Sequence, residues 1–201
     1  VVVRAGQGSL HPQWLNAGAD RSWDLIVSIY DAQARFRHDD DICVVHQDGG
    51  KWDGLYRLFA PSDLLNRYDY VWLPDDDIAA TSADIDAIFD AMRLYDLDVA
   101  QPSLTHDSHH SHFIVMSCPG MRLRYANFIE IMAPCLSADL LRAALDDFRD
   151  TMSGFGLDYI WCRLPQKPLK KAAVLDFIMV RHTRPIGHSL RRNMAEWGVV
   201  A

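Results

Sequence analysis

The sequence predicts an α/β domain with a mainly parallel sheet flanked by helices. Two observations carry this. The first half of the chain alternates short apolar, β-branched runs with segments of helical periodicity, the order that lays strands side by side through helical crossovers. Polar and acidic residues also collect just after the ends of those runs, where sheets of this kind gather ligands. With 201 residues, 49% of them hydrophobic, the chain can fill one substantial core and is read as a single domain.

Val1–Arg4 reads as a short strand and Gly6–Pro12 as a loop. Asp24–Tyr30 (DLIVSIY) and Asp41–His46 (DICVVH) read as buried strands, joined by the polar segment Asp31–Asp40. Gly49 and Gly50 break the chain before a helix over Lys51–Ala60, where Trp52, Leu55, Tyr56 and Phe59 share a face that reads as core. Asp69–Leu73 is the next strand, bounded by Pro74. Thr81 or Ser82 then caps a helix with Ile85, Ile88, Phe89 and Met92 on its apolar side. Asp98–Gln101 is a strand that Pro102 stops. In the less regular second half, Thr105–Pro119 is a polar loop rich in Ser and His, and Phe128–Ala133 reads as a strand. Ser137 caps a helix carrying Leu140, Leu141, Ala144, Leu145, Phe148 and Met152. The final strand, Ala172–Val180, leads into Arg181–Pro185.

A net charge of −7 excludes a general nucleic-acid binder. The charge is uneven: from Arg163 to Arg192 there are eight Lys/Arg against one acid, Asp176. This basic C-terminal arm could meet phosphates or an anionic membrane surface, or be a solvated face. The four cysteines are widely spaced with no C-x-x-C pair; Cys43 and Cys135 lie in apolar runs, which favours reduced, buried thiols. No apolar stretch approaches the ~20 residues that span a bilayer, and no basic-then-apolar leader is evident. The expected setting is cytoplasmic, with the basic arm as a contact for the membrane's inner face.

The triplet Asp75-Asp76-Asp77 directly follows an apolar strand and one proline. Like carboxylates packed together repel and resist ionisation. A divalent cation resolves that conflict, and oxygen ligands suit Mg²⁺ or Mn²⁺. An acidic loop capping the next helix is the alternative. An aspartyl-phosphate phosphatase is disfavoured, because Ala79 stands where D-x-D-x-[TV] needs Thr or Val. Lys51, after two glycines at a helix start, is placed to touch a phosphate, although the Walker spacing is absent. Glu130 is an acid in an apolar run and needs a partner, either at a binding site or on Arg122 or Arg124. The histidines of "HDSHHSH" (His106, His109, His110, His112) crowd too closely for a structural zinc site and read as a surface loop or one over the active site.

Seven segments together resemble the DUF707 family, whose members are similar to GT-A glycosyltransferases: "SLHPQWL" (Ser9–Leu15), "WDLIVSIYD" (Trp23–Asp31), "GGKWDGLYRLF" (Gly49–Phe59), "YDYVWLPDDDI" (Tyr68–Ile78), "NFIEIMAPCLS" (Asn127–Ser137), "GFGLDYIW" (Gly154–Trp161) and "HTRPIG" (His182–Gly187). The resemblance implies a GT-A-like single domain, with a nucleotide-binding half over 1–105 and an acceptor-side half over 106–201 that ends in the basic arm. It implies Asp75 and Asp77 as a D-x-D metal motif, with Asp76 beside it at the donor and His182 completing the shell around Mn²⁺ or Mg²⁺. Ser28, Tyr30 and Asp31 would hold the base and ribose of a nucleotide-sugar, most simply a UDP-sugar. Lys51 and Arg184 would hold phosphate oxygens, with Arg181 a further candidate. Asp158, after the Gly154-Phe155-Gly156 turn, would be the general base of an inverting transfer to a carbohydrate or glycolipid hydroxyl, although only one acid follows the turn where related enzymes can show two. The alternatives are nucleotidyl or phosphoryl transfer, and a non-catalytic carbohydrate-binding protein. The position of Asp158 relative to the metal ligands separates these.

Overall fold

Short runs of β-branched residues place the first three strands in one parallel sheet. In the computed structural model, which describes residues 1–15, 21–36, 38–39, 42–151, 153–164 and 171–187, β1 (Val2–Ala5), β2 (Ile26–Ile29) and β3 (Cys43–His46) lie in that order, Val2 opposite Ile26 and Ile26 opposite Cys43. β1 and β2 are buried throughout. β3, expected to be buried, is mostly exposed, Cys43 included, because it is the sheet's edge and has a neighbour on one side only. All four cysteines are free, and burial holds the Cys135 thiol far above its usual range.

The remaining elements are α1 (Lys51–Phe59), α2 (Leu64–Arg67), β4 (Tyr70–Trp72), β5 (Ile78–Ala79), α3 (Ser82–Leu94), β6 (Val99–Leu104), β7 (Arg124–Tyr125), β8 (Cys135–Ser137), α4 (Ala138–Ala144), α5 (Leu157–Ile160) and β9 (Ala172–His182). Six strands form a second sheet in the order β4-β8-β6-β9-β5, with β7 also pairing with β9. β6 and β9 run parallel, while β8 pairs antiparallel with β4 and β6, and β5 and β7 antiparallel with β9. The mainly parallel expectation therefore holds for the first sheet and for β6/β9, and fails elsewhere. Antiparallel neighbours need no crossover helix, and the irregular second half supplies few.

Two further expectations are corrected. Pro102 does not stop β6; it lies inside the strand at a register shift between Pro102 and Ser103, the kind of irregularity where a missing N–H is tolerated. Phe128–Ala133 is not a strand. It is buried, but its backbone serves side chains: Glu130 N donates to Gln101 Oε1 at 2.5 Å, and the carbonyls of Ile129, Ile131, Met132 and Ala133 accept from Trp161, Lys51, Lys51 again and Trp72. Those bonds satisfy the groups a strand would have paired.

The helices follow their local signals. Thr81 caps α3 in a reciprocal box with Asp84, and Ile85, Ile88, Phe89 and Met92 are buried. Ser137 accepts from Leu140 N and caps α4, which is shorter than its apolar pattern implied and passes into a 3-10 turn at Leu145. Met152, Asp40 and Asp41 fall outside the described residues. Among the described residues no helix is long and apolar enough to cross a membrane.

The turn before α5 is fixed by its glycines. Gly154 and Gly156 have φ of +72° and +100°, a region costly for other residues. A Cβ on Gly154 would lie 2.0 Å from Trp52 Nε1, in a cluster where Trp52 packs on Phe148 and Trp161. Gly154→Ala should therefore lower unfolding free energy by about 2–3 kcal/mol, since overpacking and backbone strain act together. Urea denaturation of the two proteins measures it.

Candidate functional site

A cavity of about 250 Å³ opens where the two sheets meet the loops that follow their strands. Its lining includes Asp75, Asp76 and Asp77 from the β4–β5 connection, His182 and Arg184 from the end of β9, Lys51 from the start of α1, and Asp158 from α5. The pairing of β5 with β9 brings this about: Ile78 lies opposite His182, and Thr183 donates its N–H and hydroxyl to the Asp77 carbonyl at 3.1 and 2.9 Å.

Asp75, Asp77 and His182 each offer a ligand atom, and the three atoms lie within 4.8 Å of one another. His182 is oriented for this. Its Nδ1 donates to the His109 carbonyl at 2.8 Å, and Nε2 lies 3.0 Å from Asp77 Oδ2. A ring held through one nitrogen, with the other turned toward the carboxylates, is how histidine ligands are positioned. Two carboxylates and one imidazole form a donor set that Mn²⁺ accepts. Two like charges about 4 Å apart repel by about 4 kcal/mol at an effective dielectric of ~20, so the carboxylates need counter-charge. Lys51 and Arg184 provide part of it.

Lys51 Nζ donates to Asp75 Oδ1 at 2.7 Å and to the carbonyls of Ile131 and Met132 at 2.7 and 3.3 Å. All three ammonium protons are thus engaged. The sequence placed Lys51 on a phosphate; in the structure it positions Asp75. Arg184 donates to Asp76 Oδ1, and its Nε lies 3.1 Å from Asp77 Oδ2. Asp76 also accepts from Gly6 N at 2.8 Å. Burial pushes Asp76 up to about 6, against the opposing pull of Arg184 and the Gly6 amide. Burial also resists charge on Asp77, but the hydrogen bond and charge of His182, with Arg184, leave its pKa below the usual value. In His182 burial pulls downward, and the Asp77 hydrogen bond and charge win, so the net shift is upward.

Asp158 and Glu130, 7% and 5% exposed, line the same cavity. Asp158 Oδ1 and Glu130 Oε2 are buried without a hydrogen-bond partner, and an unmatched buried acceptor costs about 1–3 kcal/mol. Burial raises the pKa of both carboxyls. Glu130 is not paired with either arginine considered from sequence: Arg124 binds Asp176 at 2.8 and 3.0 Å and Arg122 binds the Tyr95 hydroxyl. It faces the cavity instead, with His112 Nδ1 3.4 Å from its Oε1.

Tyr30 lines the cavity, but two of the residues assigned to the nucleotide do not. The Ser28 hydroxyl is buried and accepts from Arg4 Nη1 at 2.7 Å. Asp31 accepts from Gln7 N and Gln33 N and ties a surface turn. Arg181 pairs with Asp107 outside the cavity lining. Of the basic arm, Lys167, Lys170, Arg191 and Arg192 lie outside the described residues. Sequence reading missed Arg4 and placed His112 only within a loop that could lie over the active site; both line the cavity. Arg4 donates to the carbonyls of Gly49 and Gly50, and burial lowers its pKa to about 10. A lone arginine in the run Val1–Ala5 was the available signal, because a buried charge requires partners.

The chain shares its fold with a solved structure of 4-diphosphocytidyl-2C-methyl-D-erythritol synthase from Anaerococcus prevotii, at a TM-score of 0.52 and 10% identity over 98% of this chain and 93% of that one. A solved mycobacterial protein gives a TM-score of 0.49 at 14% identity, over 89% of this chain and 65% of the other. No protein-family model and no curated protein matches the sequence. At 10% identity the likeness is one of fold, and the chemistry has to be read from the side chains.

Asp77→Ala and His182→Ala should each weaken Mn²⁺ binding at least as much as loss of a supporting outer-shell group, about 10–100-fold. Because metal binding requires His182 without its second proton, affinity should rise as pH passes upward through the raised His182 pKa, with protons released. Without metal, the stability that His182 draws from Asp77 is fully present below about 6.5 and is lost as pH rises through that pKa. Calorimetric titration with Mn²⁺ in buffers of different ionisation enthalpy, and melting curves from pH 5 to 9, measure both effects.

Proposed function

We propose that the protein is a metal-dependent glycosyltransferase of GT-A type, as its DUF707-like segments imply, moving a sugar from a nucleotide-sugar to an acceptor hydroxyl. One observation carries this reading: the Asp75/Asp77/His182 cluster shares its cavity with two buried carboxylates, Glu130 and Asp158, that each keep an unmatched oxygen. A hydroxyl is a weak nucleophile until a base takes its proton, and that base needs a pKa lifted toward neutrality. Asp158, raised by burial, suits the role.

Asp75, Asp77 and His182 would hold Mn²⁺ or Mg²⁺, which when bound neutralises charge on a diphosphate leaving group. Arg184 sits beside that cluster with a planar fork suited to phosphate oxygens. Tyr30, on the same wall, is placed to meet the nucleoside, for which UDP is the first choice to test. Asp158 would take the acceptor proton from the opposite side, which implies inversion. The presence of Asp158 and Glu130 within the cavity also weighs against a binding protein without turnover.

A second reading, nucleotidyl transfer, is favoured by the fold shared with a synthase whose name contains a diphosphocytidyl group. Its nucleophile would be a phosphate that is already ionised, so it needs cations and no base. Here Arg4 and Lys51 are engaged by protein acceptors, and the cavity adds two buried carboxylates for which such a reaction has no use.

The two readings predict different products. UDP-, GDP- and CMP-sugars with Mn²⁺ should give metal-dependent release of the nucleotide, slow with water alone. Nucleoside triphosphates with sugar 1-phosphates should give no pyrophosphate. Pyrophosphate release without nucleotide-sugar turnover would replace the first reading by the second. Asp158→Asn should lower kcat by about 10²–10⁴-fold and remove the acid limb of the pH–rate profile, which in the native protein lies above the ordinary aspartate range.

A further inference from the structure

The part of the cavity lined by Glu130 and Asp158 is built for a particular kind of ligand. Glu130, in the irregular segment 128–133, and Asp158, in the first turn of α5, are each more than nine-tenths buried. Their elements hold one another: Ile129 N donates to the Asp158 carbonyl at 3.4 Å, and Trp161 Nε1 to the Ile129 carbonyl at 2.9 Å. Gln101 Oε1 accepts from Glu130 N and pins that residue from beneath. Each carboxylate keeps a buried oxygen with no donor among the described residues, and a ligand with two hydroxyl groups supplies what is missing.

Charge narrows the class. Among the described residues, the cavity lining carries five carboxylates (Asp75, Asp76, Asp77, Glu130, Asp158) against three side-chain cations (Arg4, Lys51, Arg184). Those cations are engaged on or near the triplet and the glycines before α1. The described ring facing Glu130 is His112. Among the described residues, an anionic group placed here would meet two carboxylates with no arginine or lysine to receive it. The rim supplies the complementary apolar surface. Phe155 is 78% exposed at the cavity mouth, held out by the left-handed Gly154 and Gly156, and Pro185 and Ile186 line the same cavity. Polar acceptors below an exposed aromatic face match the two sides of a pyranose, which has hydroxyls on its edge and C–H groups on its face.

We propose that this part takes an uncharged pyranoside, its hydroxyls donating to Glu130 and Asp158 and its C–H face lying on Phe155, and that Glu130 is the positioning residue that rejects phosphorylated or carboxylated sugars. Naming this sugar the acceptor rests on the transferase reading; its binding does not, and can be measured without donor.

The test is binding to the full chain, followed by saturation-transfer NMR, of methyl β-D-glucopyranoside, methyl β-D-galactopyranoside and methyl α-D-mannopyranoside, each against its 6-phosphate. At least one neutral glycoside should bind about tenfold or more tightly than its 6-phosphate, a difference of about 1.4 kcal/mol. Glu130→Gln should weaken the neutral ligand and narrow that gap, because it keeps the shape and removes the charge. Phe155→Ala should weaken binding and leave the gap in place. A 6-phosphate that binds as well as its neutral partner, no binding by any glycoside, or an unchanged gap in Glu130→Gln would each overturn the proposal. If the glycosides behave as expected while no nucleotide binds with Mn²⁺, the transferase reading fails and this one stands; the reverse result removes this one alone.

Discussion

The two-residue pairing of β5 with β9 is the constraint on which the site depends. It sets Ile78 opposite His182, more than a hundred positions apart in the chain, and so delivers an imidazole to Asp77. Neighbouring contacts reinforce the register. Thr183 binds the Asp77 carbonyl through both its N–H and its hydroxyl, and Ser108 Oγ accepts from His182 N at 3.2 Å. The His109 carbonyl then fixes the ring. A slip of one residue would turn His182 to the other face of the sheet and leave the aspartates without their third ligand.

A second constraint is the segment 128–133, which is ordered without being regular. Its carbonyls anchor Lys51, Trp72 and Trp161, its amide at Glu130 is held by Gln101, and Met132 O accepts from Asp75 N at 2.7 Å. These bonds tie α1, the six-stranded sheet and α5 to the cavity floor. The buried apolar side chains Phe128, Ile129 and Met132 keep the segment in the core, so Glu130 is presented by a rigid support. The same bonds explain why the segment leaves the sheet: a backbone serving four side chains cannot also serve a neighbouring strand.

The acidic triplet was legible because three carboxylates beside an apolar run conflict with local physics unless something resolves them. His182, Asp158 and Arg184 were reached by resemblance, and the structure brings all three to the same cavity as the triplet. Ser28 and Asp31, at a strand end, were assigned to the nucleotide by the same resemblance, and in the structure neither lines the cavity. A hydroxyl or carboxylate at such an end can equally be taken by a buried arginine or a turn amide, as both are here. Arg4 was missed for the converse reason: nothing local in its segment says which cavity it lines. Lys51 was found, but the partner that engages it, Asp75, is 24 residues away.

By itself the sequence determined α1, α3, α4 and the strands β1, β2, β4, β6 and β9, because capping, periodicity and β-branched runs act over a few residues. It also determined that Asp75–Asp77 needed counter-charge. Which strands run antiparallel, where the basic groups point and which acids face the triplet were decided only by the tertiary structure. Those outcomes depend on pairings between distant segments, whose register is set by the whole packed core and is not encoded in any short stretch of chain.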